Sequence, residues 1–234
     1  MKIPFHKPIF PKDINQILSQ SLESGWVTTG PKVKEFESIL CKYLGYNHIV
    51  AVNSCTAALH LVLAAKGLSK GDFFIVPTYT FVASVEVGEY LGATPIFVDS
   101  DPNSFNIDLD KVEKILLSNK YQNIKAIIPV HFAGQLVNNE RINKIAKKYN
   151  LFILEDAAHA LEAVANRKDN HKSKNSVAFS FYANKNITTG GEGGAVATND
   201  KSLADKIRKL SLHGMDKDGW KRFGSKGKWS YDVS

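Results

Sequence analysis

Seven short apolar runs recur between residues 48 and 198, at 48–53, 73–77, 94–98, 125–130, 151–154, 177–181 and 195–198. Most are continuously apolar. A strand with one face in water alternates in polarity with a period of two, whereas a strand covered on both faces does not. Helix-length segments separate several of the runs, at 56–66, 82–91, 109–117 and 138–148, and another follows at 201–212. Ahead of them Val33, Phe36, Ile39, Leu40, Tyr43 and Leu44 fall three and four residues apart, forming one helix face that ends at Gly45. Strand, helix and strand repeated in this way predict an α/β fold with a mainly parallel central sheet flanked by helices.

Composition agrees and removes other classes. Of 234 residues, 44% are hydrophobic and 23% charged, an ordinary globular balance that argues against disorder or a fibrous repeat. The two cysteines, Cys41 and Cys55, make neither a disulfide framework nor a CxxC pair, which points to a reducing compartment. The opening MKIPFHKPIFPKD holds three prolines and lacks the apolar core of a signal peptide. No apolar stretch approaches the roughly 20 residues that cross a bilayer. The expectation is a cytoplasmic protein with no membrane association. A net charge of +7 and a pI near 9.2 favour anionic partners. No DNA- or RNA-binding motif stands out and the basic residues are dispersed, so no nucleic-acid partner is expected.

Four strand-to-helix or strand-to-loop junctions carry residues with chemical potential. At Val52-Asn53-Ser54-Cys55-Thr56 a buried strand gives way to a helix, and its first N–H groups with a hydroxyl would cradle a phosphate. A plain N-cap uses the same residue types. At Pro77-Thr78-Tyr79-Thr80-Phe81 the aromatics are placed to stack on a flat ring beyond the strand's carboxyl end, or to fill the core. At Leu154-Glu155-Asp156-Ala157-Ala158-His159 a strand delivers a carboxylate that, once buried, needs a cationic partner. A helix cap by Asp156 or a metal held by Asp156 and His159 are the rival readings. The metal is disfavoured because no second ligand cluster accompanies them among the seven histidines. At 180–194, SFYANKNITTGGEGG, Lys185 stands between a buried strand and four glycines in five positions. The spacing matches neither a P-loop nor GxGxxG, and a surface lysine beside a turn is the plain alternative.

Taken together, a phosphate cradle, a ring-stacking aromatic, a carboxylate for a pyridinium and a lysine for an imine are what pyridoxal 5'-phosphate (PLP) requires. Here they occur at successive strand ends.

The motifs NSCTAALH, VPTYTFVAS, LGATPIFVD, IIPVHFAG, LEDAAHA and SFYANKNITTGGEGG resemble, in order and approximate spacing, those of the DegT/StrS sugar-nucleotide aminotransferases. The likeness runs from Gly25 to Val233. It implies the large domain of the type I PLP fold. The N-terminal arm and helix would occupy 1–30 and the cofactor-binding domain 31–212. Residues 213–234 would begin a segment leading to a C-terminal small domain that this sequence does not contain. By resemblance Lys185 forms the imine, Asp156 pairs with the pyridine nitrogen, and His159 contacts or lies beside the phenolic oxygen. Phe81 stacks on the ring; Thr56, the Cys55 backbone and Ser180 match phosphate contacts, and Ser54 joins these cofactor-binding candidates from its place at the helix start. Cys55 replaces a glycine common in the family.

The resemblance implies ping-pong transfer of an amino group from an amino acid, L-glutamate, to a nucleotide-linked keto sugar, in surface-glycan or amino/deoxy-sugar biosynthesis. A homodimer with shared active sites is also implied. Relatives that remove a sugar hydroxyl instead carry histidine where this chain has Lys185. Two departures qualify the match. Glu162 and the polar segment 166–173 replace small residues and a Gly-rich turn, and an exposed loop with little effect on the cofactor is expected there. The sequence also stops where the family continues, which leaves a truncated, non-catalytic paralogue that binds sugar nucleotide or PLP in a regulatory role as the alternative. Lys217, Lys221, Arg222, Lys226 and Lys228 are candidates to face a substrate diphosphate, or are a solvated basic surface.

Overall fold

The computed structural model describes residues 3, 4 and 6–215. The basic cluster from Lys217 to Lys228 and the end of the family likeness lie outside the described residues. All seven apolar runs become strands: β1 His48–Val52, β2 Phe73–Pro77, β3 Thr94–Val98, β4 Ile124–Ile127, β5 Phe152–Asp156, β6 Ser176–Ser180 and β7 Gly194–Thr198. They form one sheet in the order β1-β7-β6-β5-β4-β2-β3. Every pairing is parallel except those of β7, which runs antiparallel to both β1 and β6. The sheet is therefore mainly parallel, as the unbroken apolar runs predict.

The helices are α1 Ile14–Glu23, α2 Pro31–Leu44, α3 Cys55–Ala65, α4 Ala83–Glu89, α5 Leu109–Leu117, α6 Asn139–Tyr149, α7 Leu161–Ala165 and α8 Lys201–Ser211. They cover both faces. Phe74, Val76, Leu154, Ala178 and Val196 pack with residues of α3, α4 and α8 on one side. Ile75, Ile127 and Ile153 pack with α5 and α6, and Ile49, Val177, Phe179 and Ala195 with α2 and α7, on the other. Strand neighbours thus go to opposite faces and both are buried. Gly45, with φ +69°, terminates α2 in the left-handed conformation, as its sequence position predicts.

Two strand ends differ from expectation. β4 stops at Ile127 instead of 130, because Pro129 lacks an N–H for the ladder. β5 continues to Asp156 instead of 154, so both carboxylates of Glu155-Asp156 sit on the strand itself. Alternation then sends them to opposite faces, and both are buried, at 1% and 5% exposure.

Glu155 is neutralised from within. Its Oε2 accepts from Arg167 Nη2 at 2.5 Å and lies 2.7 Å from His131 Nε2, while Oε1 accepts from Asn175 Nδ2 at 2.7 Å. The Val137 N–H donates to His131 Nδ1 at 3.2 Å, leaving Nε2 as the nitrogen that donates to Glu155. Burial alone would push the Glu155 carboxyl up; the hydrogen bonds from His131 and Arg167, with the Arg167 charge, pull it down to about 2. Segment 166–173 is therefore more than an exposed loop. Arg167 reaches under β5, and buried Asn170 donates to the carbonyls of Leu44 and Val164 at 2.7 Å each.

A depressed carboxyl stabilises the fold fully above its ordinary pKa and ceases to do so as pH falls through the folded value. Denaturant titrations should show the wild type losing roughly 3 kcal/mol between pH 4.5 and 2 from this group. Glu155→Gln should lack that component of the acid limb and be less stable at pH 7 by about 3 kcal/mol. An unchanged acid limb in Glu155→Gln would show that the cluster does not hold Glu155 ionised.

Candidate active site

The carboxyl ends of the parallel strands open into a cavity of about 590 Å³, the place where open α/β sheets bind ligands. All eight residues singled out in the sequence line it: Ser54, Cys55, Thr56, Phe81, Asp156, His159, Ser180 and Lys185.

At one end, the chain leaves β1 and enters α3 with Ser54 as N-cap in extended conformation, its Oγ accepting the Ala57 N–H at 3.0 Å. The capping reading holds for Ser54. The N–H groups of Cys55 and Thr56, at the first two helical positions, precede any intrahelical partner. Both residues line the cavity at the positive end of the helix dipole. Ser180, at the end of β6, also lines this cavity and accepts the Tyr182 N–H at 3.3 Å.

The glycines at 190–194 serve this corner in two ways. Gly190 takes φ +96°, a turn conformation open to glycine. Gly194 opens β7 directly beneath the α3 N-terminus: a Cβ there would stand 2.3 Å from Ser54 C, 2.4 Å from its carbonyl oxygen and 2.6 Å from Cys55 N. The close approach is to the chain's own turn at Ser54 and Cys55.

At the base of the cavity, Asp156 Oδ2 accepts from Ser84 Oγ at 2.7 Å and Oδ1 from the Ala158 N–H at 3.1 Å. Cys55 Sγ lies 3.9 Å from Oδ1. Burial first, then the Asp156 charge, keeps the Cys55 thiol well above the ordinary thiol range, so it is a neutral S–H that donates weakly to the carboxylate. Lys185 Nζ is 2.9 Å from His159 Nε2. Burial, followed by the neighbouring Lys185 charge, holds His159 below the ordinary imidazole range, with Asp156 opposing. The imidazole is therefore neutral at physiological pH, with Nε2 accepting from the lysine.

The aromatics are not core. Tyr79 is 51% and Phe81 74% exposed, both beside the cavity, and Tyr79 packs on Phe132 at 4.7 Å between ring centroids. Sequence reading passed over Ser84 and Thr80 as individual residues, and over Tyr182, Asn184 and Glu192, which line the same cavity. A hydroxyl four residues after another at a helix start was the available signal for the first pair. Among the described residues, no group of three or more His, Cys, Asp and Glu could hold a metal ion.

Gly194→Ala should lower stability by about 3 kcal/mol, since backbone atoms cannot rotate away from the new Cβ. Gly191→Ala, with open space around it, should change stability by less than about 0.5 kcal/mol. Equal denaturation midpoints for the two variants would contradict the close packing of α3 on β7.

Comparison with known proteins agrees with this geometry. The model of the DegT/DnrJ/EryC1/StrS aminotransferase family matches residues 8–231. The spore coat polysaccharide biosynthesis protein SpsC of Bacillus subtilis is 45% identical over 231 residues, 99% of this chain and 58% of SpsC. GDP-perosamine synthase of Caulobacter vibrioides is 41% identical over 198 residues, 84% of this chain and 52% of that enzyme. The PLP form of Spr1654 of Streptococcus pneumoniae superposes with a TM-score of 0.83 at 32% identity, covering 100% of this chain and 61% of that one. The chain thus spans a little over half the length of the curated relatives it matches. By the match of its sequence and the agreement of its fold, the chain belongs to the DegT/DnrJ/EryC1/StrS aminotransferase family.

Proposed function

We propose that residues 31–212 form the PLP-binding part of an aminotransferase that moves an amino group from an amino acid, L-glutamate by family resemblance, to a nucleotide-linked keto sugar. The observation that carries this reading is the convergence of Lys185, Asp156 and the α3 N-terminus on one cavity. The named activity of GDP-perosamine synthase and the polysaccharide role named for SpsC support a sugar substrate. Lysine at 185 favours amine transfer over hydroxyl removal.

The residues present fit the cofactor. Asp156 is a nearly buried carboxylate supplied with donors from the chain, a site that calls for a cationic ring nitrogen. The N–H groups of Cys55 and Thr56, with the hydroxyls of Thr56 and Ser180, would hold a phosphate. Phe81 would cover one face of the ring, and His159 would stand beside it. When bound, PLP supplies an electron sink for the charge left when a proton departs the carbon bearing the amine.

The chain's own groups do the proton work. Lys185 Nζ, once free of its proton, is the base that takes and returns the proton at the reacting carbon. His159 Nε2 orients that amine from 2.9 Å. The Asp156 carboxylate would pair with the ring nitrogen and favour its protonated form. We further propose a homodimer in a cytoplasmic setting, on family resemblance and on the two free cysteines. Among the described residues no helix is long and apolar enough to cross a membrane.

Purified chain mixed with PLP should develop an absorbance band near the visible edge that L-glutamate discharges. Lys185→Ala should show no such band, and borohydride reduction of the wild type should leave the label on Lys185 in peptide mass analysis. A label on another lysine would sink the assignment.

A further inference from the structure

Asp156 is held by a hydroxyl relay. Ser84, in the first turn of α4, is completely buried, and its Oγ lies 2.7 Å from Asp156 Oδ2. Thr80 Oγ1 lies 2.8 Å from Ser84 Oγ. A serine has one hydroxyl proton, and an ionised carboxylate can only accept. Ser84 therefore gives its proton to Asp156 and accepts from Thr80, so the direction of both bonds is determined. The other carboxylate oxygen takes the Ala158 N–H and the weak Cys55 S–H. The strand end is clamped as well, with Asp156 N–H donating to the Pro129 carbonyl and the Asp156 carbonyl accepting from His131 N–H.

We infer that Ser84, oriented by Thr80, is a positioning residue for the reaction: it fixes the Asp156 carboxylate and its charge toward a cationic group entering the cavity. The inference rests on the cofactor reading above and extends it to two residues outside the lysine, carboxylate and histidine set. The relay feeds Oδ2 from the α4 side and the α3–β5 corner feeds Oδ1. Both oxygens are thereby supplied, and capacity for one further donor remains on a carboxylate that lines the cavity. Hydrogen bonds donated to a carboxylate favour its charged form, and charge-assisted bonds are about twice as strong as neutral ones. Removing the hydroxyl should thus matter for a ligand that presents a ring N–H⁺ to Asp156 and be indifferent for one that does not.

The test compares equilibrium binding, by fluorescence titration of the full 234-residue chain, of PLP and of its carbon analogue with C–H in place of the ring nitrogen. The wild type should prefer PLP. Ser84→Ala should cut the PLP-to-analogue affinity ratio by about tenfold, the scale of one charge-assisted hydrogen bond. Ser84→Thr should restore the ratio to within about twofold by keeping the hydroxyl, and Thr80→Val should fall between. A purely structural role for Ser84 would weaken both ligands alike and leave the ratio unchanged, which would overturn the inference while leaving the cofactor reading intact. Binding of neither ligand by the wild type would overturn both.

Discussion

Two carboxylates in succession at the end of a strand buried on both faces impose a cost that the surrounding chain must offset. Each anion removed from water requires donors or a counter-charge. The fold treats the two differently. Glu155 receives a guanidinium, an imidazole N–H and an amide from the folded chain, and is complete without any ligand. Asp156 receives a hydroxyl, a backbone N–H and a thiol, all uncharged. Its neighbours stabilise the anion without cancelling it. That asymmetry, set by the two-residue period of β5, separates an anion with a counter-charge from the chain from one that has only uncharged donors.

The same asymmetry organises the cavity. Lys185 donates to His159. The imidazole stays neutral because of burial and because the lysine is beside it. The α3 N-terminus, a carboxylate and a lysine therefore share one cavity. An elongated ligand with an anionic tail, a basic ring nitrogen and a carbonyl carbon matches those three features in turn.

Much of this was legible in the residues, for identifiable reasons. The unbroken apolar runs announced strands covered on both sides, and all seven formed. Gly45 announced the end of α2. The eight candidate residues fall together because each stands at the carboxyl end of a strand or just past it, where sequence order and spatial position coincide, and all of them line one cavity. What was hidden depends on contacts between distant segments. Nothing near Gly194 in sequence shows that Ser54 will lie against it. Arg167 reads as a polar loop residue until the strand above it is known to end in Glu155. Ser84 looks like any small residue in a helix until Asp156 is placed over it. The antiparallel course of β7 was also invisible, since a buried run carries no mark of its direction.

That course has a bearing on how the molecule comes to exist. Among the described strands β1 pairs with β7 alone, His48 opposite Thr198 and Val52 opposite Gly194. The strand that emerges early in synthesis thus waits for one that emerges late, and closing so long a loop is slow relative to local pairing. The turn at Ser54 rests on the same Gly194, so that turn cannot settle until β7 has arrived. The edge strand of the sheet is therefore ordered only once a segment about 140 residues further along has been made, which ties the shape of the Ser54 turn to the arrival of β7.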